Sequence, residues 1–170
     1  MRVRGRTDDD LDACERLAGV VHRVDGYPVY LPDDLRSFIA TPDAHAAWMA
    51  EHHGEVVGHV ALHPRSSEVV MALASEVTGR PPERLGVVAR LLVDPAARGL
   101  GVGRALLAAA TDGAGERGLW PVLDVATHYG PAIRLYEACD WVRAGQVTVT
   151  FRHGGTLDEY VYLGPAPPVP

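Results

Sequence analysis

Three glycines at alternate positions, Gly99, Gly101 and Gly103, lie between two arginines, Arg98 and Arg104. Glycine has no side chain that would keep a ligand away from the main chain. A helix that starts directly after such a loop offers unpaired N–H groups and the positive end of its dipole. The two arginines can add charge-assisted hydrogen bonds. The sequence therefore predicts that this stretch binds a phosphate or a pyrophosphate.

The segments on either side of the loop have the composition of a strand and a helix. Residues 87–93 form an apolar run with the length and β-branched content of a buried strand, and Asp94-Pro95 ends it. Residues 104–110 are mostly strong helix formers. Two familiar phosphate loops do not fit, because G-x-G-x-x-G meets Leu106 or Arg104 where its third glycine belongs, and no Gly-Lys-Ser/Thr run is present. An ordinary strand-to-helix turn is the alternative interpretation.

The pattern that does fit is Arg-x-x-Gly-x-Gly, read at Arg98, Gly101 and Gly103 and preceded by Leu-Leu-Val-Asp-Pro. It closely resembles the acetyl-CoA loop of the GNAT acetyltransferases. The resemblance implies that the loop wraps the pyrophosphate of acetyl-CoA, that the strand before it pairs with the pantetheine arm, and that CoA is the product. The cofactor-binding residues implied in this way are Leu91, Leu92, Val93, Arg98, Gly99, Leu100, Gly101, Val102, Gly103, Arg104, Tyr129, Ile133 and Tyr136.

Residues 132–141 resemble a second GNAT signature, Ala-x-x-Leu-Tyr-Glu-x-x-Gly-Phe. Ile133 and Tyr136 lie three positions apart, so both can face the cofactor side of a short helix. The resemblance implies that Tyr136 lies near the CoA sulfur and, as a general acid, donates a proton to the departing thiolate. Two positions depart from the family pattern, since Tyr129 stands where Asn is frequent and Asp140 where Gly is common. A buried structural tyrosine is the alternative for Tyr136.

The reaction that the resemblance implies is direct attack of a primary amine on the thioester in a ternary complex, with a backbone N–H near Leu92 polarising the carbonyl. The proton acceptor stays open, because many family members carry Glu on the fourth strand and this chain has Ala89 and Arg90 there. One alternative is a water chain that contacts His63, His59, His128 or Glu68. The competing function is a non-catalytic acyl-CoA-binding sensor or partner module on the same fold.

Five side chains are candidates for contact with the acceptor: Tyr27, Tyr30, His63, Arg90 and His128. In GNAT-like proteins the segment between the first two helices often lines the acceptor pocket, which suggests the two tyrosines; simple packing of their rings is the alternative. Arg90 can pair with an acceptor carboxylate. His59 and His63 lie two apart on a predicted strand, but no third ligand is evident, so no metal site is predicted.

The whole chain predicts an α/β (α+β) protein with the GNAT fold: a mixed, twisted sheet of about seven strands, splayed in the middle, with about four helices around it. Helices are predicted from the Thr7 cap to about His22, over 33–40, from the glycine loop to about Arg117, and over the second motif. Predicted strands cover residues 3–6, 46–51, 55–63, 87–93, 119–125, 145–151 and 159–163. Residues 64–85, with a short helix predicted at 68–77, exceed the minimal GNAT pattern. They are expected to act as a lid or as a dimer contact.

Length and composition are those of a single globular domain. Of 170 residues, 47% are hydrophobic and 22% charged, and the domain is predicted at 1–164 with a proline-rich tail at 165–170. The net charge of −6 argues against nucleic acid as a partner. No apolar run approaches the roughly 20 residues that span a bilayer, and the first six residues lack the apolar segment of a secretory signal.

The partners and the location follow from the same features. Cys14 and Cys139 suggest no disulfide framework, so a reduced, cytoplasmic setting is predicted. Cys14 falls on the apolar face of the first predicted helix, which favours a core position over a reactive thiol. The expected acceptor is the amino group of a small molecule or of a protein, with no nucleic acid and no membrane involved. The protein is expected to be a monomer or a homodimer.

Overall fold

The computed structural model describes residues 1–29, 34–151 and 154–167. Seven strands lie within these ranges: β1 (Arg2–Gly5), β2 (Ala46–His52), β3 (Glu55–His63), β4 (Leu85–Val93), β5 (Trp120–Ala126), β6 (Val142–Thr150) and β7 (Thr156–Leu163). The same ranges hold five helices, against about four predicted: α1 (Leu11–Asp25), α2 (Leu35–Ile39), α3 (Glu68–Thr78), α4 (Val102–Glu116) and α5 (Gly130–Glu137).

The seven strands form one mixed sheet in the order β1-β2-β3-β4-β5-β7-β6, which confirms the predicted fold class. The pairs β1–β2, β2–β3, β5–β7 and β6–β7 are antiparallel, and β4–β5 is parallel, as the predicted crossover through α4 requires. The parallel register recorded for β4 and β5 comprises Leu85–Val87 with Trp120–Val122. The strand β4 continues six residues beyond this register, to Val93.

Most predicted boundaries differ from the observed ones by one to three residues, for local reasons. The strand β1 covers Arg2–Gly5 rather than 3–6. The helix α1 starts after a 3₁₀ turn at Asp8–Asp10 and continues past His22 to Asp25. It ends there because Gly26 adopts the left-handed conformation (φ 69°) and its N–H donates to the carbonyl of His22 at 2.8 Å.

The chain divides into two compact units, the first of which comprises Met1–Leu62 and Arg90–Ala110. Its core is built on the apolar face of α1, which packs with Ile39 and Leu92. The buried α1 side chains recur at helical spacing: Leu11, Cys14, Leu17, Ala18 and Val21. Burial raises the pKa of the Cys14 thiol to about 11, so this cysteine is held as an unreactive thiol in the core.

The second unit comprises His63–Ala89 and Thr111 onward. The helix α3 confirms the short helix predicted at 68–77, and it buries Val70, Met71 and Ala74 in the apolar core of this unit. The strand residues in the same core are Leu85, Val87, Val122, Val161 and Leu163. Because Val70 and Ala74 are completely buried, a lid movement of α3 would expose core side chains to water. We therefore assign α3 to the core of the second unit rather than to a lid.

Within the described ranges, no helix combines the length and the hydropathy that crossing a bilayer demands.

Candidate functional site

The loop between β4 and α4 begins in a rigid turn. Asp94 donates its backbone N–H to the carbonyl of Val57 at 2.9 Å, which fixes the end of β4 against β3. The Asp94 carboxylate accepts a hydrogen bond from the N–H of Ala96 at 2.8 Å and starts a 3₁₀ turn over Pro95–Ala97. This anchoring fixes the direction in which the chain enters the glycine segment.

The glycine segment itself has its main chain open to a ligand. Gly99 (φ 78°) and Gly101 (φ 80°) adopt the left-handed region that favours glycine. Both are exposed, and a Cβ built on either would meet no atom within 4 Å. The helix α4 starts at Val102, and its first turn closes with a hydrogen bond from the Ala105 N–H to the Gly101 carbonyl (3.0 Å). The backbone N–H groups before Ala105 therefore lie in the first turn, where a helix offers no acceptors of its own. The segment has the geometry of an anion site at a helix start.

Gly58, in the middle of β3, sets how closely α4 packs on this part of the sheet. A Cβ at Gly58 would lie 2.6 Å from Leu106 Cδ1, 2.7 Å from Val102 Cγ1 and 3.2 Å from the Leu92 carbonyl. Such distances exclude any side chain at this position without a shift of its neighbours. Gly58 thus positions the start of α4 relative to β3 and β4. Sequence analysis missed this role, and an isolated glycine inside a strand pattern was the available signal.

The two arginines that flank the loop differ in their surroundings. The Arg98 guanidinium forms an ion pair with the carboxylate of Asp25, the last residue of α1, and both side chains are partly exposed. This contact ties the loop to α1 within the first unit. Arg104 lies exposed in the first turn of α4. To contact a phosphate as predicted, the Arg98 guanidinium must therefore bind it alongside the Asp25 carboxylate or give up the ion pair with Asp25.

The three residues before the loop point their side chains differently. Leu92 is completely buried in the core of the first unit, whereas Leu91 and Val93 are partly buried. Because the Leu92 side chain packs in this core, the side of β4 that carries Leu92 faces inward. The predicted pairing of this main chain with a pantetheine arm stays a prediction.

His59 and Arg90 meet within the first unit. His59 is completely buried, and its Nδ1 lies 3.1 Å from the carbonyl oxygen of Arg90, while its Nε2 lies 3.3 Å from Arg6 Nη1. These partners fit a neutral imidazole that donates from Nδ1 and accepts at Nε2. With both ring nitrogens engaged, His59 is a structural residue and a poor candidate for the proton acceptor.

The predicted acceptor residues are distributed between the two units. In the first unit, Tyr27 packs beside the core and interacts electrostatically with Arg90. Tyr30 lies outside the described residues. In the second unit, His63 is buried at the end of β3, and the exposed His128 places its ring 4.4 Å from that of Tyr129. Of the predicted acceptor residues that the structure describes, Tyr27 and Arg90 thus belong to the first unit, and His63 and His128 to the second.

Tyr136 on α5 is held in a group of aromatic rings within the second unit. It is 7% exposed, and its ring centroid lies 6.4 Å from that of Trp141 and 5.9 Å from that of Tyr162. The Tyr162 hydroxyl donates to Glu137 at 2.8 Å and accepts from Arg143 at 3.1 Å. Burial raises the pKa of the Tyr162 hydroxyl. The Tyr136 ring therefore packs beside Tyr162, whose hydroxyl is itself held by two hydrogen bonds.

A pair of carboxyl groups that sequence analysis missed lies in the second unit. Asp124 on β5 and Glu159 on β7 are hydrogen bonded to each other, and the Ser66 hydroxyl donates to Asp124 at 2.8 Å. Burial, together with the charge of Asp124, raises the pKa of Glu159 to about 8, and burial raises that of Asp124 as well. The available signal was an Asp inside an apolar run, since a buried carboxylate needs a partner.

The described residues hold no group of three His, Cys, Asp or Glu side chains arranged to bind a metal ion. Both cysteines are free thiols in the described structure.

The family model of the acetyltransferase (GNAT) family matches residues 11–141, which include the glycine loop and the α5 motif. The chain belongs to this family. Mycothiol acetyltransferase of Acidothermus cellulolyticus is 38% identical over 117 residues, which make up 68% of this chain and 35% of that protein. The chain thus spans about a third of the length of this relative.

Solved GNAT structures share the fold. The ribosomal-protein-alanine N-acetyltransferase of Brucella melitensis has a TM-score of 0.70 at 22% identity, with 96% of this chain and 98% of that chain covered. Arabidopsis thaliana NAA60, solved in complex with acetyl-CoA, has a TM-score of 0.68 at 20% identity, with 95% of this chain and 96% of that chain covered. At these identities the likeness concerns the fold.

The two departures from the GNAT pattern near α5 have structural consequences. Asp140 adopts φ 62°, so the position at which the family pattern favours Gly requires the left-handed conformation, which Asp tolerates better than most residues. Tyr129 caps the start of α5, and its carbonyl accepts from the N–H of Ile133 at 3.1 Å. Ile133 is partly buried in the first turn of this helix.

Proposed function

We propose that the protein is an N-acetyltransferase that transfers the acetyl group of acetyl-CoA to a primary amine by direct attack in a ternary complex. The observation that carries this proposal is the open main chain of Gly99 and Gly101 at the start of α4. A diphosphate fits there because nothing occupies the space in which a Cβ would lie, and the helix start attracts negative charge. Family membership supports the choice of acetyl-CoA as the cofactor.

In this proposal the glycine loop, the end of β4 and Tyr136 each have a separate role in the reaction. Bound acetyl-CoA supplies an activated acyl group as a thioester. The loop from Arg98 to Arg104 binds the diphosphate, and the main chain of Leu91–Val93 orients the arm, with an N–H near Leu92 polarising the acyl carbonyl. Tyr136 donates its hydroxyl proton to the departing sulfur. The packing of the Tyr136 ring beside Trp141 and Tyr162 supports this role, because a proton donor has to be held in one orientation.

The acceptor of the proton that the attacking ammonium group must lose stays open, because an alkyl ammonium has a pKa of about 10.4 and several side chains could accept its proton directly or through water.

The experiment that tests the function follows the release of free CoA thiol with a panel of primary amines. We expect saturable acetyl-CoA binding and amine-dependent thiol release. The variant Tyr136→Phe should lower kcat about 100-fold while the affinity for acetyl-CoA is unchanged. Tyr160→Phe, which also removes a tyrosine hydroxyl, is the matched control. Full turnover of Tyr136→Phe at every pH would exclude Tyr136 as the acid.

A non-catalytic acyl-CoA-binding module is the second candidate. It is favoured by Arg90 and Ala89 on β4, where many family members carry Glu. Tight binding of acetyl-CoA without thiol release for any amine would select this function over the transferase. The cytoplasmic location and the monomeric or homodimeric state stay predictions.

A further inference from the structure

Asp25 is an acidic residue at the last position of α1. The C-terminus of a helix is the negative end of the helix dipole, which favours cations and disfavours a carboxylate. Arg23 lies in the same last turn, but residues two positions apart on a helix do not face each other, and Arg23 Nη1 lies beside Gly19, one turn back. A carboxylate at this position therefore depends on a cation from another element.

The cation beside Asp25 is Arg98, the first residue of the loop to which we assign the diphosphate. Its Nη2 donates to Asp25 Oδ2, and both residues belong to the first unit. The side chain of Arg98 is 45% exposed and that of Asp25 31%, so water reaches the ion pair. Because water screens its charges, an exposed ion pair of this kind contributes little to stability. A more strongly held anion can therefore replace the carboxylate.

A diphosphate at the glycine loop is such an anion. A guanidinium binds two phosphate oxygens through parallel hydrogen bonds. A ligand that is already held by the N–H groups at the start of α4 also presents its phosphates to Arg98 at a high effective concentration. The Asp25 carboxylate would then face a second anion across the same guanidinium, and the two like charges would repel each other.

We propose that Asp25 and the diphosphate of the cofactor compete for the Arg98 guanidinium, so that cofactor binding separates Arg98 from Asp25 and loosens the end of α1. Asp25 thereby lowers the affinity for CoA. Without this counter-charge, the carboxylate weakens the last turn of α1, which the hydrogen bond from the Gly26 N–H to the His22 carbonyl closes at 2.8 Å. This inference rests on the proposed function and names the residue that regulates its cofactor site.

The first test measures CoA affinity by titration calorimetry. Asp25→Asn keeps the shape of the side chain and removes its charge, so it should tighten CoA binding about 3- to 10-fold. Asp12→Asn is the matched control, because Asp12 is also a carboxylate of α1 in an ion pair, but with Arg36 of α2. It should change the affinity less than twofold. Unchanged or weaker CoA binding by Asp25→Asn overturns the inference.

A double-mutant cycle tests whether Asp25 acts through Arg98. Arg98→Met should weaken CoA binding about 10-fold, and adding Asp25→Asn to it should then change the affinity less than twofold. Equal tightening by Asp25→Asn in both backgrounds overturns the competition for the guanidinium. Dephospho-CoA keeps the diphosphate and lacks the 3′-phosphate, so it should respond to Asp25→Asn as CoA does. A response confined to CoA overturns the inference as well.

Amide hydrogen exchange tests the loosening of α1. CoA should accelerate the exchange of the Gly26 N–H in the wild type and leave it unchanged in Asp25→Asn. Pantetheine, which lacks the diphosphate, should have no effect in either protein. Slower or unchanged exchange of Gly26 in the CoA-bound wild type overturns the inference and leaves the proposed function in place. Failure of CoA to bind the wild type overturns both.

Discussion

In the loop between β4 and α4, main-chain groups supply the proposed binding atoms, whereas around Tyr136 side chains supply them. The loop lies within a dozen consecutive residues, and its geometry follows from Gly99 and Gly101 at positive φ. The Tyr136 region instead depends on Tyr162, which reaches it from β7 and donates its hydroxyl hydrogen bond to Glu137 of α5. The difference teaches that a backbone site is fixed by local sequence, while a side-chain site depends on long-range strand pairing.

The largest effect that this comparison predicts concerns the backbone site. Gly101→Glu should weaken acetyl-CoA binding at least 100-fold, about 2.7 kcal/mol, because a carboxylate would occupy the position of the diphosphate. Gly54→Glu is the matched control, since Gly54 (φ 84°) has the same backbone conformation and the same open space in the β2–β3 turn. Titration calorimetry measures both. Near-normal binding by Gly101→Glu would place the cofactor elsewhere.

The second prediction concerns the support beneath the loop. Gly58→Ala should lower the free energy of unfolding by about 1–3 kcal/mol, because its Cβ would overlap Val102 and Leu106 in the core. Chemical denaturation measures this change. Gly5→Ala, in a strand position with open space, is the control and should be nearly neutral. A Gly58→Ala variant as stable as the wild type would mean that α4 can shift freely relative to β3.

The smallest effect concerns the carboxyl pair of the second unit. The folded-state pKa of Glu159 is about 8, against an ordinary value of 4.5, so folding favours its protonated form. This contribution is present in full below about pH 4.5 and is lost as the pH rises toward 8. Glu159→Gln should remove it, which flattens the pH dependence of stability by on the order of 1 kcal/mol, allowing for the partial exposure of Glu159.

Thermal or chemical denaturation between pH 5 and 8.5 measures this prediction. Glu55→Gln, at an exposed site of β3, is the control and should leave the pH dependence unchanged. An unchanged pH dependence for Glu159→Gln would show that the two carboxyl groups do not share a proton.

The same contrast explains how much could be predicted from the sequence. The strand, turn, glycines and helix around Gly101 are contiguous, and their local rules agree, so the structure of this element could be predicted. The helix α3 was predicted from its composition, but its place in the core of the second unit was not, because that depends on which strands pair. The pairing of Asp124 with Glu159 could not be predicted for the same reason, since only the register between β5 and β7 brings the two residues together. Arg90 was predicted to contact the acceptor, yet the left-handed conformation of its backbone (φ 55°) has no local signal.

The most direct test of the account follows the backbone amides of the protein by NMR during titration with CoA, pantetheine and inorganic pyrophosphate. If main-chain N–H groups at the start of α4 bind the diphosphate, CoA and pyrophosphate should produce their largest shifts at Gly99–Arg104. Pantetheine, which lacks the diphosphate, should leave these amides nearly unchanged. Binding of CoA with large shifts elsewhere and none at Gly99–Arg104 would contradict the account.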